Sequence, residues 1–152
     1  MLLRHRPGLV ALALLLAATA AARAQTEAQP RLETTVLQAG MHLIHAELAR
    51  TPQQTTIGLM YRRELGANDG MLFVFPDRGL RCFWMRNTLL PLSIAFIDDH
   101  GTITDLADMK PLSEDEHCST QAVRFALEMN QGWFAKRGIR PGFKLKGAPF
   151  AR

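Results

Sequence analysis

The residues Gly70–Asp98 read GMLFVFPDRGLRCFWMRNTLLPLSIAFID, and this stretch decides the fold. Met71–Phe75 is a continuous apolar run between a glycine and a proline, which is typical of a strand covered on both faces. Leu92–Ile97 is a second apolar strand, with large side chains at every other position. The polar residues Arg86–Thr88 lie between these two runs. The stretch therefore predicts strands of the protein interior with a polar segment held between them.

The rest of the chain adds short strands, short helices and frequent turns. Further strands are predicted at Thr35–Ala49 (two strands joined by a turn), Cys82–Arg86, Thr102–Met109, Val123–Met129 and Phe143–Lys146. Helices are predicted at Pro52–Arg62, where Thr51 and Gln54 have the spacing of a capping box, and at Gln131–Arg137. This pattern predicts a mostly β fold, a compact β-sandwich or barrel with two short helices.

The first 24 residues have the composition of a secretory signal peptide. Arg4–Arg6 is a basic start, Gly8–Ala18 is an apolar run, and Ala22–Ala24 offers small residues for cleavage. The apolar run is shorter than the roughly 20 residues that a membrane-spanning helix needs, and an uncleaved N-terminal anchor stays the alternative. We expect a signal peptide at 1–24, a flexible lead-in at 25–34 and a single β-rich domain at 35–152, located in the periplasm or secreted.

The charge of the chain excludes some classes of partner. Its formal net charge is +4, but three of its 18 Lys and Arg residues lie in the first 24, so 15 remain against 14 Asp and Glu. A nearly neutral domain lacks the basic surface that nucleic-acid binding requires. We expect no nucleic-acid partner and no membrane span after signal cleavage. An unknown small molecule or a periplasmic protein is the expected partner.

Cys82 and Cys118 are the two cysteines of the chain. An even number of cysteines in an exported protein favours a disulfide. The bond would close a loop of about 37 residues, and the lost chain entropy would contribute roughly 3–4 kcal/mol to stability. Two buried thiols or a soft-metal pair are the alternatives.

The candidate pocket residues are Trp84, Arg86, Asn87 and Thr88. Alternation along a strand places Trp84 and Arg86 on one face, where together they could recognise a planar or anionic group. The alternative is that Trp84 is an ordinary core residue. Asn87 and Thr88 bind nearby backbone in many tight turns, and we favour that structural role over catalysis.

No catalytic, cofactor or metal motif is predicted. Ser93 lacks the surrounding glycines of a nucleophile elbow, and the histidines have no metal-binding spacing. Clustered thioethers could bind Cu(I) in the periplasm, but each candidate lies in an apolar context typical of core. Those candidates are Met60, Met71, Met85, Met109 and Met129.

Several segments resemble the domain-of-unknown-function 192 family, also called uncharacterised protein family 0127. They are Gly58–Met60, Gly70–Pro76, Phe83–Asp98, Met109 with Pro111, and Leu127–Ile139. The resemblance implies a compact, jelly-roll-like β domain of an often exported bacterial or archaeal family. It implies no catalytic residue, because no activity is established for the family. Ser93 and Phe143 stand where the family usually has Asp, which lowers the expectation of an enzyme.

The sequence favours a small ligand-binding or accessory module of unknown activity. The groove would lie near Trp84 and Arg86, because ligand sites combine an apolar surround with a few polar groups. An envelope-associated hydrolytic enzyme and a methionine-based copper-binding protein are the alternatives.

Overall fold

The computed structural model describes residues 26–150, and the predicted signal peptide lies outside them. The strands are β1 Thr34–Ala39, β2 His42–Ala49, β3 Asp69–Gly79, β4 Cys82–Phe83, β5 Leu92–Ile97, β6 Ile103–Met109, β7 His117–Cys118 and β8 Val123–Asn130. A helix, α1, spans Pro52–Ile57, and a single 3-10 turn spans Ala135–Arg137. The fold is mostly β, as the alternation of the sequence predicts.

Six of the strands form one sheet in the order β1-β2-β3-β8-β5-β6. The neighbours are antiparallel except β2 and β3, which are parallel and connected through α1. A parallel pair needs a crossover connection, and residues 50–68 provide it. β4 and β7 form a separate two-stranded sheet. The central strand β8 is flanked by β3 and β5, so both of its edges are paired.

The sheet buries apolar side chains on both faces. The first cluster contains Leu72, Phe125 and Leu127 and is covered by Trp133 and Phe134. The second cluster lies on the opposite face and includes the following residues: Leu59, Met71, Phe73, Met85, Leu92, Ile94, Phe96 and Ala126. Because neighbouring residues of a strand point to opposite faces, the two-sided cover explains why β5 is buried at every position.

The C-terminal segment links the two edges of the sheet. Lys146 exchanges backbone hydrogen bonds with Gln38 of β1, and the N–H of Leu145 donates to the carbonyl of Gly101 just before β6. The segment predicted as a strand at Phe143–Lys146 forms these isolated bridges and no continuous ladder. The sheet therefore curls toward a barrel without closing into one by direct pairing of its edge strands.

Three predicted elements are shorter than expected. The helix predicted at Pro52–Arg62 has its capping box but ends at Gly58, whose φ of 52° is outside the helical region. The strand predicted at Cys82–Arg86 stops after Phe83. The helix predicted at Gln131–Arg137 is reduced to a 3-10 turn at Ala135–Arg137. The predicted helix at Pro52 ran past Gly58, where the backbone leaves the helical region, and the predicted strand ran three residues past Phe83. The third prediction was correct at its C-terminal end only.

The segment predicted as a lead-in makes specific contacts with the domain. The side-chain amide of Gln29, which is buried, donates to the carbonyls of Gln54 and Gly58 at 3.1 and 2.8 Å. The N–H of Leu32 donates to the carboxylate of Glu47. The two bonds from Gln29 attach the segment to the C-terminal end of α1, and the bond from Leu32 attaches it to β2.

Candidate functional site

A cavity of about 430 Å³ lies between the second face of the sheet and the segments that cover it. Residues 55–60, at the end of α1 and beyond, form one wall. Residues 80–84, which include β4, form another, and Thr88 also lines the space. The sheet contributes Phe73, Phe75 and Glu128. This volume suits a small ligand, since ligand pockets generally span about 300–1,000 Å³.

Glu128 is the carboxyl group of this cavity. It lies on β8 between Met71 of β3 and Ile94 of β5, which are both fully buried apolar residues. Its exposure is 4%, and no described residue forms a hydrogen bond or ion pair with its side chain. Burial raises the pKa of Glu128 to about 8, because an apolar site disfavours the charged form. The group therefore keeps its proton at neutral pH.

Glu47 provides a contrast within the same sheet. It lies on β2 beside Met71, so it belongs to the same cross-strand row as Glu128. Its carboxylate accepts two hydrogen bonds from Arg62, at 3.0 and 2.9 Å, and one from Arg31 at 2.8 Å. Burial acts to raise the pKa of Glu47, but these bonds and one from the Leu32 N–H outweigh it, so the pKa is below its usual value.

The two buried glutamates therefore have different roles. The Glu47–Arg62 pair holds the segment after α1 against the sheet, and this segment forms one wall of the cavity. The Glu128 carboxyl group forms no hydrogen bond or ion pair with any described residue. Its oxygens are not among the described, fully buried polar atoms that lack a partner, which are Arg62 Nε, Arg81 Nε, Asp99 Oδ1 and Arg137 Nε. The carboxyl group therefore faces the cavity, where a ligand could reach it.

Two of the four candidate pocket residues line the cavity. Trp84 and Thr88 do so, with Trp84 43% exposed and Thr88 buried. Arg86 is exposed, with its guanidinium 5.6 Å from the Trp84 ring centroid and 3.6 Å from a carboxylate oxygen of Glu114. Asn87 also lies outside the lining. The structure thus separates Arg86 and Asn87 from the cavity that Trp84 and Thr88 reach.

Asn87 shapes the turn that separates these side chains. Its φ is 57°, in the left-handed region, where Asn is tolerated better than most residues. Its carbonyl accepts the N–H of Tyr61, and the N–H of Thr88 donates to the carbonyl of Met85. The turn ends the extended run that begins at β4 and leaves Met85 buried in the second cluster.

The two cysteines form a disulfide. Cys82 and Cys118 are directly opposed in the β4–β7 ladder, with a Cα–Cα distance of 4.0 Å. Glu116 lies close enough to form a three-ligand group with them, but all three residues are exposed and both sulfurs are in the disulfide. The bond fastens β4, which carries a wall of the cavity, to β7.

The five methionines that suggested copper are divided between the two faces of the sheet. Met129 belongs to the first cluster, whereas Met71, Met85 and Met109 belong to the second. Met60 lines the cavity. These positions are typical of methionine as a core filler.

Ser93 and Phe143, the two departures from the family pattern, lie away from the cavity. The hydroxyl of Ser93 donates to a carboxylate oxygen of Asp108 at 2.5 Å and accepts the N–H of Gly132 at 2.8 Å. Ser93 lines a different cavity, with Phe134 and Ile139 of the first cluster. Phe143 packs against that same cluster. Neither departure alters the surroundings of Glu128.

Glu128 is the residue that sequence reasoning missed. It stands in Val123–Met129, which the sequence predicts as a strand without giving a reason to single out one acid. The available signal was the carboxyl group itself, because Glu is almost never fully buried without a partner. Recognising it required knowing that both faces of this strand are covered.

The comparison with protein families identifies the family of the chain. The sequence profile of DUF192, described as "Uncharacterized ACR", matches residues 34–147. The chain belongs to the DUF192 family. No curated protein matches it.

The solved structures that are similar to this DUF192 protein include the following two. One is a protein from Sinorhizobium meliloti 1021, provisionally described as a transcription regulator, with 36% identity and a TM-score of 0.74. The match covers 79% of this chain and 98% of that one. The other is a protein of unknown function from Novosphingobium aromaticivorans DSM 12444, with 35% identity and a TM-score of 0.72, covering 76% of this chain and 86% of that one.

The described part of this DUF192 protein contains no helix that is long and apolar enough to cross a membrane. Its disulfide is compatible with an oxidising compartment.

Proposed function

We propose that this DUF192 protein is a binding module for a small molecule, and that the Glu128 cavity is its binding site. The single observation that carries the proposal is the unpartnered carboxyl group of Glu128 at the sheet side of a 430 Å³ space. Aromatic side chains surround that space, namely Phe73, Phe75, Phe83 and Trp84. The lining also contains Thr55, Thr56, Thr88 and Arg81. Apolar walls combined with several polar groups are the usual composition of a ligand site.

The structure suits a preformed site. The Cys82–Cys118 disulfide holds one wall, and the Glu47–Arg62 pair holds the other. The ring of Phe83 makes edge contacts with Phe73 and Phe96, at centroid distances of 4.8 and 5.9 Å. Walls fixed in this way reduce the entropy that a ligand must remove on binding.

The test is a thermal-shift screen with small aromatic and aliphatic compounds of positive, negative and zero charge. A compound that binds the folded state raises its stability by RT ln(1 + [L]/Kd), and this increase should be lost in Trp84→Ala. Leu43→Ala is the matched control, because Leu43 is a 53% exposed apolar residue outside the cavity. If every compound that stabilises the wild type also stabilises Trp84→Ala, the binding site lies elsewhere.

General-acid catalysis at Glu128 is the second candidate function. Its raised pKa favours it, since a carboxyl group that keeps its proton at neutral pH can donate that proton to a reacting group. The described lining contains no histidine and no second carboxylate, which favours binding over hydrolysis. An enzyme would turn over a bound ester or amide with an activity that falls above about pH 8, and Glu128→Gln would abolish turnover while keeping binding.

We also propose that the protein works in the periplasm or after secretion. The signal-like composition of residues 1–24 and the exposed disulfide both support this location. The mature protein from a culture of the source cells should begin at Gln25 by mass spectrometry. Protein that begins at Met1 and is found in the cytoplasmic fraction would contradict the location and leave the cavity proposal unchanged.

A further inference from the structure

The Glu128 carboxyl group has no counter-ion in its own cavity. The other charged residue of the described lining is Arg81. Its guanidinium donates to the carbonyl and a carboxylate oxygen of Asp77, at 2.6 and 2.8 Å, and lies 4.1 Å from the centroid of the Phe75 ring. One terminal nitrogen of the Arg81 guanidinium is therefore bonded to Asp77, whereas its Nε is buried and has no hydrogen-bond partner in the described structure. An ionised Glu128 would need a cation from outside the protein.

The surroundings of Glu128 suit a cation that carries apolar groups. Phe73, Phe83 and Trp84 line the space beside the carboxyl group, and aromatic faces attract cations through their quadrupole. Trp84 already has a guanidinium, that of Arg86, 5.6 Å from the centroid of its ring. A negatively charged ligand would meet one cationic side chain in the described lining, Arg81, whose guanidinium is already bonded to Asp77. A fully hydrated metal ion would leave the apolar walls unused.

We propose that the Glu128 cavity binds an organic ammonium ion, whose charged group pairs with the Glu128 carboxylate and whose apolar body packs against Phe83 and Trp84. This inference rests on the proposed function and adds the chemical class of the ligand. No bond is made or broken. The one chemical change is that Glu128 gives up its proton to solvent when the ammonium group arrives.

The proton release makes the affinity depend on pH. The residues that flank Glu128 on β3 and β5 are Met71 and Ile94, which do not titrate. Arg81 is the other charged residue of the described cavity lining. Glu47 lies two strands away and is ion-paired with Arg62. Glu128 is therefore the group whose protonation competes with the ligand. As the pH increases toward about 8, the affinity for the ammonium ion should increase about tenfold per pH unit, because more of Glu128 is deprotonated.

The experiment uses isothermal titration calorimetry with two series of compounds, one built on a benzyl group and one on a hexyl group. Each series has an ammonium, an alcohol and a carboxylate member. The probes are benzylammonium, benzyl alcohol and benzoate, and hexylammonium, hexanol and hexanoate. At pH 6.5, at least one ammonium should bind the wild type at least tenfold more tightly than its matched alcohol and carboxylate. Measurements in buffers of different ionisation enthalpy should show about one proton released per ammonium bound.

Two variants make the test specific. Glu128→Gln should remove the tenfold preference and the proton release while leaving alcohol binding unchanged. Glu116→Gln is the matched control, since Glu116 is an exposed acid of the β7 segment outside the cavity, and it should behave like the wild type.

The outcomes separate this inference from the proposed function. Alcohols or carboxylates that bind as tightly as the ammonium ions, or a preference that survives Glu128→Gln, would overturn the ammonium inference and leave the binding module standing. The same holds if none of the six probes binds but other screened compounds require Trp84. If no compound of any charge requires Trp84, both proposals fail.

Discussion

Replacing Arg62 by Ala is expected to lower the free energy of unfolding by about 3–5 kcal/mol. Arg62 is buried and forms two hydrogen bonds with the carboxylate of Glu47, which is itself buried. Removing the guanidinium leaves the buried carboxylate with the exposed Arg31 and the Leu32 N–H as its remaining partners, which compensate its burial less well. The segment after α1, which carries Leu59 and Met60, would lose its attachment to β2. Urea denaturation at pH 7 measures the change.

Arg31→Ala is the matched control for that experiment. Arg31 bonds to the same carboxylate, but its side chain is 58% exposed, so its loss should cost no more than about 1 kcal/mol. Equal losses for the two variants would show that burial does not set the strength of this ion pair. The folded-state pKa of Glu47 is lowered, so the contribution of the pair is present above the unfolded pKa and is lost as the pH falls through the folded value. The two variants should therefore converge with the wild type in acid.

Replacing Glu128 by Gln is expected to stabilise the protein at pH 8 by an amount on the order of 5 kcal/mol. Its pKa is about 8 in the folded state against 4.5 for the unfolded chain, and each unit is equivalent to about 1.4 kcal/mol. Between these two values the folded state binds one proton more than the unfolded state. The free energy of unfolding of the wild type therefore falls as the pH rises from about 4.5 to about 8. Gln has no charge to lose and should show no such fall.

The measurement is a series of urea denaturations of the wild type and Glu128→Gln across that pH range. The two free energies should be similar near pH 4.5 and diverge steadily toward pH 8. Glu116→Gln should follow the wild type, because an exposed acid has no comparable desolvation. Parallel curves for the wild type and Glu128→Gln would mean that Glu128 ionises normally in the fold. A gain in stability at the cost of ligand binding is the pattern expected of a functional site.

The fold was largely predictable from local pattern. The apolar run Met71–Phe75 and the alternation in Leu92–Ile97 lie within β3 and β5, and the capping box at Thr51 begins α1. These signals depend only on residues close in sequence. The parallel pairing of β2 with β3 was not predicted, because it joins residues about 24 positions apart across α1. The ends of elements were missed at Gly58, where the backbone leaves the helical region, and at Phe83, where β4 ends.

The candidate site was predictable only in part. Trp84 and Thr88 were singled out and line the cavity, whereas Arg86 and Asn87 were singled out and lie outside it. The prediction treated Cys82–Arg86 as one strand, but β4 ends at Phe83, so the alternation of a strand does not apply to Trp84 and Arg86. The disulfide was predicted from cysteine count and compartment, and its two half-cystines are opposed in the β4–β7 ladder.

By itself, the sequence determined the mostly β class and the two-sided burial of Met71–Phe75, and it predicted the Cys82–Cys118 bond. Hydrophobic period and residue type are local properties, so they survive without coordinates. Only the tertiary structure distinguished the two buried glutamates, Glu47 and Glu128, which occupy one row of one sheet. Whether a carboxyl group is satisfied depends on the side chains that distant segments bring to it. Arg62 reaches Glu47, and no described side chain pairs with Glu128.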